Sequence, residues 1–470
     1  MPRSTKTKGF VVAAASSGIG KTTVCSAICS ALASAGHVVQ PFKTGPDYVD
    51  PTFLSLGAGR SCRNLDGFPN PYKMPFFYAE GCRARDGAPA ADIAVIEGVM
   101  GMYDGLGVEG LYSTAWLART LDLPVVLLAD AKAAATSVAA TAHGFASLEG
   151  LAPRVVGVIA NRVSGEAHAE LIREALERYA GLPLLGWLPH IPDVEFPSRH
   201  LGLIPATERR GTEEKLARVA AAVREHFDLA RLAAVAKAPR ARVQIPKLPN
   251  AVRKRGWSPV RVAVARDRAF CFHYPENWEL LERLGAEVVF TSPLHDASVP
   301  QGADVLILPG GYPEEFAGEL SGNDSYLRSL RAFALSGKIY AECGGMMYLS
   351  GAIRLGEERF PMAGLIRAVA VQTDRLQRFG YVRARSLGDN LLCKRDEELR
   401  AHEFHYSKMV APESAGKENA FDVRRASGRG AGWTDGFASN GEQEKPRILA
   451  TYLHLNFYSC PGAAARLLGG

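Results

Sequence analysis

The sequence predicts an α/β protein with two doubly wound parallel sheets, one in each half of the chain. Short, continuous apolar runs are typical of buried parallel strands, and helical segments rich in Ala and Leu lie between them. A break rich in Pro, Lys and Arg at 236–259 separates the two halves. We therefore expect a first domain at 1–235, a linker at 236–259 and a second domain at 260–470.

Ten apolar runs predict the central strands, six in the first half and four in the second. A helix is predicted after the first run, over Thr22–Ser34, and it ends before Gly36. The predicted strands are Phe10–Ala14, Val38–Phe42, Ile93–Ile96, Val125–Ala129, Val155–Ala160, Leu184–Leu188, Val262–Ala265, Glu287–Thr291, Val305–Leu308 and Lys338–Ala341.

Composition excludes several classes of function. The chain has 470 residues, 47% hydrophobic and 22% charged, which is typical of a globular protein. Its net charge of +6 is too dilute to predict nucleic-acid binding. Eight scattered cysteines without a CxxC pair favour reduced thiols in a cytoplasmic protein. No apolar run reaches the ~18 residues of a membrane span, so we expect no membrane partner. The sequence leaves open whether the protein forms a homodimer.

The segment after the first strand carries a phosphate-binding pattern. ASSGIGKT at 15–22 matches GxxxxGK[ST] except that Ala15 replaces the first glycine. We expect Lys21 to reach the β- and γ-phosphates of ATP, and Thr22 to ligate Mg²⁺. Asn161, which ends a later strand, is predicted to recognise the base, although Asn is also a common turn residue. The predicted ATP-binding residues are Ser17, Gly18, Gly20, Lys21, Thr22, Thr23 and Asn161.

Acidic residues follow the second and third predicted strands. Asp47 and Asp50 follow the second strand, and Glu97 ends the third, with Asp104 nearby in a Gly-rich loop. Because ligands of such folds bind at the carboxyl edge of the sheet, these carboxylates should converge there. We expect Asp50 and Glu97 to ligate Mg²⁺ with Thr22, and Asp47 and Asp104 to be catalytic. Turn formation is the alternative for the first pair.

The second half contains a cysteine in a strand–turn–helix context. Cys343 follows a strand and precedes two glycines, which resembles a nucleophile elbow with sulfur in place of oxygen. We expect the helix N-terminus to lower the thiol pKa. Gly310 and Gly311 are predicted oxyanion donors, and His454 is predicted to be the base.

Other polar residues are candidate substrate contacts. The H-E-x-H spacing at 402–405 is not that of a zinc protease, so we expect substrate contact or a packed polar turn there. The candidate substrate residues are Lys43, Tyr48, Arg63, His402, His405 and Tyr406.

These motifs, in this order, resemble the cobyrinate a,c-diamide synthase family of glutamine-dependent amidoligases over nearly the full chain. The resemblance rests on SSGIGKTT (16–23), PFKTGPDYVDPTF (41–53), RNLD (63–66), IEGVMGMYDG (96–105), PGGYPE (309–314), AECGGMMYL (341–349), HEFHYS (402–407) and YLHLNF (452–457).

The resemblance implies a P-loop, dethiobiotin-synthetase-like ATP domain followed by a class I glutamine amidotransferase domain. It assigns Lys21 and Thr22 to nucleotide and Mg²⁺, Cys343 to the glutaminase nucleophile, and His454 to its base. It places Asp47, Asp50, Glu97 and Asp104 in the synthetase site. One departure is Asn456, which stands where many class I enzymes carry an acidic residue, so another group would orient the imidazole.

The resemblance further implies amidation of the a- and c-acetates of cobyrinate through acyl phosphates, with ammonia passed from the glutaminase. Nothing in the sequence fixes the ring or its metal, so hydrogenobyrinate, nickel-sirohydrochlorin and sirohaem remain alternatives. Cobyric acid synthase, a related amidoligase, is a second alternative, and by resemblance the motifs PDYVDP (46–51) and EGVMGMYDG (97–105) argue against it. A partitioning-type P-loop ATPase without synthase chemistry is the alternative from another class.

Overall fold

The computed structural model describes residues 6–85, 87–194, 198–199, 202–203, 211–251, 258–411, 419–440 and 446–470. The chain forms two compact units, Met1–Pro246 and Lys247–Gly470. The division falls within the segment 236–259, and residues 252–257 of that segment lie outside the described residues. The exact limits of the linker stay a prediction.

The first unit alternates strands and helices. Its elements are β1 (Lys8–Ala14), α1 (Lys21–Ser34), β2 (Val39–Thr44), α2 (Asp50–Ala58), β3 (Arg63–Leu65), α3 (Met74–Gly81), β4 (Ile93–Glu97), α4 (Thr114–Leu121), β5 (Val125–Asp130), α5 (Thr136–Ser147), β6 (Val155–Val163), α6 (Glu166–Ala175) with a π-helical turn (Leu176–Ala180), β7 (Leu184–Pro189), β8 (Ser198–Arg199), β9 (Gly202–Leu203), α7 (Thr212–His226) and α8 (Leu229–Val235).

The main sheet of this unit is wholly parallel, in the order β3-β2-β4-β1-β5-β6-β7. Buried side chains on one face pack against α1 and α7, and those on the other face pack against α5 and α6. The predicted doubly wound sheet is confirmed, as are its six predicted strands. The short edge strand β3 escaped prediction because its three residues, Arg63–Leu65, form no apolar run.

The second unit begins in the same way and then changes character. Its elements are β10 (Val260–Ala265), α9 (Pro275–Arg283), β11 (Ala286–Thr291), β12 (Val305–Leu308), α10 (Ala317–Gly322), α11 (Asp324–Ala334), β13 (Lys338–Glu342), α12 (Gly344–Leu349), β14 (Ser350–Leu355), β15 (Glu358–Pro361), β16 (Ile366–Val371), β17 (Arg378–Ser386), β18 (Glu398–His405), β19 (Lys408–Val410), β20 (Asn419–Arg425), β21 (Trp433–Asn440), β22 (Pro446–Thr451), a 3₁₀ turn (Phe457–Ser459) and α13 (Pro461–Leu467).

Its large sheet has nine strands in the order β11-β10-β12-β13-β22-β21-β20-β17-β18. The first five are parallel, which confirms the predicted α/β class and all four predicted strands. The remaining four are antiparallel, so the expectation of a wholly parallel second sheet is corrected to a mixed one. A smaller sheet has the order β15-β14-β16-β19.

Two further expectations concern the whole chain. The eight cysteines are all free thiols. Among the described helices, none is both long and apolar enough to cross a bilayer.

Candidate active sites

The predicted phosphate loop joins β1 to α1. Gly18 and Gly20 have φ values of 80° and 95°, a region that favours glycine. The Asn161 side-chain amide donates to the Ile19 carbonyl at 2.8 Å. A Cβ on Gly20 would lie 2.9 Å from Asn161 Nδ2, so this contact leaves little room for any other residue. Asn161 therefore stabilises the phosphate loop through this hydrogen bond. Its recognition of the nucleotide base stays a prediction.

Lys21 is the first residue of α1 and lies across this loop. Its Nζ donates to the carbonyls of Ser16 at 2.9 Å and Met100 at 2.7 Å. Met100 has a φ of 47°, a strained value for a residue with a side chain. Burial lowers the pKa of Lys21, and the nearby Lys43 charge lowers it further. An anion at the loop would relieve both effects.

Thr22 and the predicted acids meet around the Lys43 ammonium. Thr22 Oγ1 donates to Glu97 Oε1 at 2.8 Å. Lys43 Nζ lies 2.7 Å from that same oxygen, 2.5 Å from Asp50 Oδ2 and 3.7 Å from Asp47 Oδ2. The carboxyl ends of β2 and β4 thus converge beside the phosphate loop, as the sequence predicts.

The charges in this cluster are set by competition between burial and pairing. Burial raises the pKa of Glu97 to about 7 and that of Asp47 to about 7. Burial would also raise the pKa of Asp50, but Lys43 outweighs it, so the pKa is lowered. For Lys43, burial is outweighed by the three carboxylates, which raise its pKa. Lys43 and Asp50 therefore form a stable ion pair, and Glu97 is easily ionised by a further cation.

Thr22 and Glu97 fit a magnesium ion that accompanies a nucleotide. Such an ion uses one or two protein groups together with phosphate oxygens. Glu97 Oε2 is buried and has no hydrogen-bond partner, so an acceptor is available. In the described part of the chain, no three His, Cys, Asp or Glu residues form a metal site by themselves.

The loop after β4 packs on the phosphate loop. A Cβ on Gly101 would lie 2.6 Å from the Ala15 carbonyl oxygen, so the two loops touch. The exposed Asp104 accepts a hydrogen bond from the Gly101 amide at 3.0 Å, which stabilises the turn. A catalytic role for Asp104 stays a prediction.

The other candidate contacts in this unit lie near β2 and β3. Tyr48 is half-buried in the loop after β2, and Arg63 is buried on β3. Asn64, which had no predicted role of its own, donates to the carbonyls of Gly45 at 2.9 Å and Asp47 at 2.7 Å. It holds the loop that carries Asp47. Only the pairing of β2 with β3 reveals this role.

In the second unit, Cys343 occupies the predicted turn between β13 and α12. Its φ of 45° is strained, and its amide donates to the Thr451 carbonyl at 2.7 Å. Gly345 is required because a Cβ there would lie 2.1 Å from the Leu308 carbonyl oxygen.

The expectation of a lowered thiol pKa is wrong. Burial raises the pKa of Cys343, and the Glu314 carboxylate raises it further, against the opposing effect of the Gly344 amide. The short helix α12 does not compensate for desolvation of the sulfur. The thiol therefore needs a base to become a nucleophile.

The glycine pair and His454 lie at the same edge of the sheet. A Cβ on Gly310 would lie 2.5 Å from His454 Cε1, and one on Gly344 would lie 3.1 Å from the Gly311 amide nitrogen. Gly310 therefore borders the imidazole, and Gly311 borders the turn that carries Cys343. The structure brings these predicted residues together.

A carboxylate with no predicted role faces the imidazole. Glu342 Oε2 lies 3.7 Å from His454 Nδ1, and both residues are buried. Asn456 Oδ1 instead accepts a hydrogen bond from the Tyr458 amide at 3.1 Å and caps the 3₁₀ turn. In the sequence, only the position of Glu342 next to Cys343 points to a role. That its side chain faces His454 follows from the pairing of β13 with β22.

His402 and His405 lie on the strand β18, with Tyr406 just after it. The His402 ring stacks on His454 at 4.9 Å between centroids, and His405 stacks on Tyr452 at 3.7 Å. Burial lowers the pKa of His402, and lowers that of His405 to about 4. Both are neutral packing partners beside the cysteine site. Substrate contact by them and by Tyr406 stays a prediction.

Comparisons with known proteins cover both units. Residues 10–204 match the model described as CobQ/CobB/MinD/ParA nucleotide binding domain. Residues 261–461 match the model described as CobB/CobQ-like glutamine amidotransferase domain.

Relatives align over nearly the whole chain. A cobyrinate a,c-diamide synthase of Salmonella typhimurium is 40% identical over 96% of this chain and 95% of its own length. One of Limosilactobacillus reuteri is 37% identical over 97% of this chain and 96% of its own length. Among solved structures, the MinD cell division protein of Aquifex aeolicus gives a TM-score of 0.28 at 15% identity, covering 40% of this chain and 84% of that one.

Proposed function

Because the chain belongs to the cobyrinate a,c-diamide synthase family, we propose that it converts the a- and c-acetate carboxylates of cobyrinate to amides. It uses ATP to activate each carboxylate and glutamine as the nitrogen donor. The observation that carries the proposal is the strained Cys343 turn beside Gly310, Gly311 and His454, on the same chain as a P-loop with Thr22 bonded to Glu97.

The second unit hydrolyses glutamine. His454 removes the Cys343 proton, and the thiolate attacks the side-chain amide carbon of glutamine. The amides of Gly310 and Gly311 stabilise the tetrahedral oxyanion. His454 then protonates the leaving ammonia and activates the water that releases glutamate. The raised pKa of Cys343 supports this order, because the thiol requires the base.

The first unit activates the carboxylate. Lys21 binds the phosphates of ATP, replacing its contacts with two backbone carbonyls. Thr22 and Glu97, with Asp50 nearby, would hold Mg²⁺, which supplies neutralisation of the phosphate charge. The substrate carboxylate takes the γ-phosphoryl group from ATP and releases ADP. Ammonia then attacks the acyl phosphate and releases inorganic phosphate, and a second round amidates the second acetate.

Two alternatives concern the substrate. The first is the same chemistry on hydrogenobyrinate, nickel-sirohydrochlorin or sirohaem, which would use the same protein groups. The second is the reaction of cobyric acid synthase, a related amidoligase. The names of the near full-length relatives support cobyrinate as the substrate.

A third alternative is a partitioning-type ATPase without synthase chemistry. Such a protein has no use for a cysteine nucleophile, and the amidotransferase match at 261–461 opposes this alternative.

A substrate panel tests the choice of ring. Cobyrinate, hydrogenobyrinate, sirohydrochlorin and its metal forms are each incubated with ATP and glutamine, and added amides are counted by mass. We expect two amides on cobyrinate. Amidation of another ring in preference to cobyrinate would reject the proposed substrate.

Cys343→Ala tests the division of labour. We expect the variant to lose glutamine-driven amidation and to keep ammonium-driven amidation within about twofold, because ammonium bypasses the glutaminase. Product formation with each nitrogen source is measured under identical ATP. Equal loss with both sources would contradict the assignment of Cys343.

A further inference from the structure

We propose that the Glu342 carboxylate orients the His454 imidazole and takes the role of the acidic residue that position 456 lacks. The inference rests on the proposed glutaminase reaction. Glu342 is a positioning residue, because it acts through His454 rather than on glutamine.

The position of the carboxylate carries the proposal. Glu342 Oε2 lies 3.7 Å from His454 Nδ1, with both side chains nearly inaccessible to solvent. Hydrogen bonds at catalytic sites are often long before substrate binds and then tighten. A buried carboxylate that faces one ring nitrogen fixes the orientation of the imidazole and the tautomer that it adopts.

The carboxylate is itself held in place. Its Oε1 accepts hydrogen bonds from the Tyr340 hydroxyl at 2.6 Å and from the Leu455 amide at 3.2 Å. These two donors come from β13 and from the residue after His454. They leave Oε2 directed at the imidazole. The Asn456 oxygen, by contrast, caps the 3₁₀ turn.

This geometry assigns the two ring nitrogens of His454. Nδ1 carries its proton toward Glu342, so Nε2 is left to accept the Cys343 proton. When Nε2 takes the Cys343 proton, the imidazolium has a buried counter-ion 3.7 Å from Nδ1, which makes the thiolate easier to form. The stacked His402 faces the same ring, but burial and His454 keep it neutral by lowering its pKa. Gly310 and Phe272, which also lie near this ring, do not titrate.

Glu342→Gln tests the proposal by two readouts. Glutamine hydrolysis should fall about 10²-fold in kcat, with KM for glutamine nearly unchanged. The pH midpoint for alkylation of Cys343 by iodoacetamide should rise by about one unit or more, because the imidazolium loses its counter-ion. Alkylation is followed on the Cys343 peptide by mass spectrometry, since the chain has seven other cysteines.

Three controls accompany this variant. Ammonium-driven amidation should stay within about twofold of wild type, which reports an intact fold and synthetase site. Asn456→Ala should leave the alkylation midpoint unchanged. Tyr340→Phe keeps the packing but removes one of the two hydrogen bonds to Oε1, and it should raise the midpoint by less than Glu342→Gln does.

Two results would overturn the proposal. One is an alkylation midpoint that is unchanged in Glu342→Gln, and the other is an equal shift of that midpoint in Asn456→Ala. If Glu342→Gln does not fold, the midpoint of Tyr340→Phe decides in its place. Failure of wild type to amidate any tetrapyrrole would overturn the proposed function instead, while hydrolysis and alkylation would still report on Glu342.

Discussion

Lys43 illustrates how one residue can organise a whole site. Its ammonium is within 4 Å of three carboxylates and is almost wholly buried. Removal of one partner from a buried ion cluster is costly because it leaves uncompensated charge in a poorly solvated place. The cluster of Lys43 and its three carboxylates therefore stabilises the fold, and it is also the proposed site of carboxylate activation.

Lys43→Met should lower the free energy of unfolding of the first unit by about 3–5 kcal/mol, because buried carboxylates lose their counter-ion. Urea unfolding at neutral pH measures the loss. The control is Lys394→Met, which breaks an exposed 2.8 Å pair with Asp389 and should change the free energy of unfolding far less, because water screens that pair. Equal costs in the two variants would contradict the special role of Lys43.

Glu403 gives a residue-scale prediction about pH. Burial, with Asp435 nearby, raises its pKa to about 8 from a usual 4.5, and its Oε2 has no hydrogen-bond partner. The folded state therefore keeps a proton that the unfolded chain releases. The stability that this provides is complete below pH 4.5 and is lost as pH rises to about 8.

Glu403→Gln is neutral at every pH and should escape this loss. Its melting temperature should exceed that of wild type at pH 8 by at least about 2–4 °C, from about 1 kcal/mol or more, and approach it near pH 5. Calorimetry at both pH values measures the difference. Glu398→Gln, on an exposed position of β18, should show no such pH-dependent gain. A gain of the same size at both pH values would reject the explanation.

At the scale of elements, strand character decides what could be predicted. β1, β4, β12 and β13 are continuous buried runs, so periodicity alone locates them. β17 has no buried residue before Val382 and alternates after it, and four of its nine residues are arginine or serine, so it lacks that signal. The meeting of the loops after β2 and β4 at one edge of the sheet was also predictable, because parallel strands end at the same edge. The role of Asn64 and the direction of Glu342 depended on tertiary pairing, which sequence spacing does not specify.

Asn161, near the end of β6, links two elements, and its role can be tested with two nucleotides. Asn161→Ala removes the hydrogen bond that holds the loop between β1 and α1. ATP and GTP should both bind about 2–10-fold more weakly, because one hydrogen bond is worth about 0.5–1.5 kcal/mol. Equilibrium binding of each nucleotide is measured. A changed ATP-to-GTP ratio would instead support the predicted contact with the base.

On the scale of the molecule, the two proposed sets of catalytic groups lie on separate compact units. The nucleotide groups belong to Met1–Pro246, and the Cys343 groups belong to Lys247–Gly470. Each unit has its own sheet and its own core. Because no described catalytic group is shared, each half of the proposed reaction should fail independently.

Lys21→Ala tests this independence from the nucleotide side. Loss of the ammonium that meets the phosphates should reduce amidation by roughly 10²-fold or more with either nitrogen source. The rate of Cys343 alkylation should be unchanged, because that site lies in the other unit. This pattern is the reverse of that expected for Cys343→Ala, which keeps ammonium-driven amidation. Retained ammonium-driven amidation in Lys21→Ala would remove Lys21 from the synthetase reaction, and altered alkylation would show that the two sites are not independent.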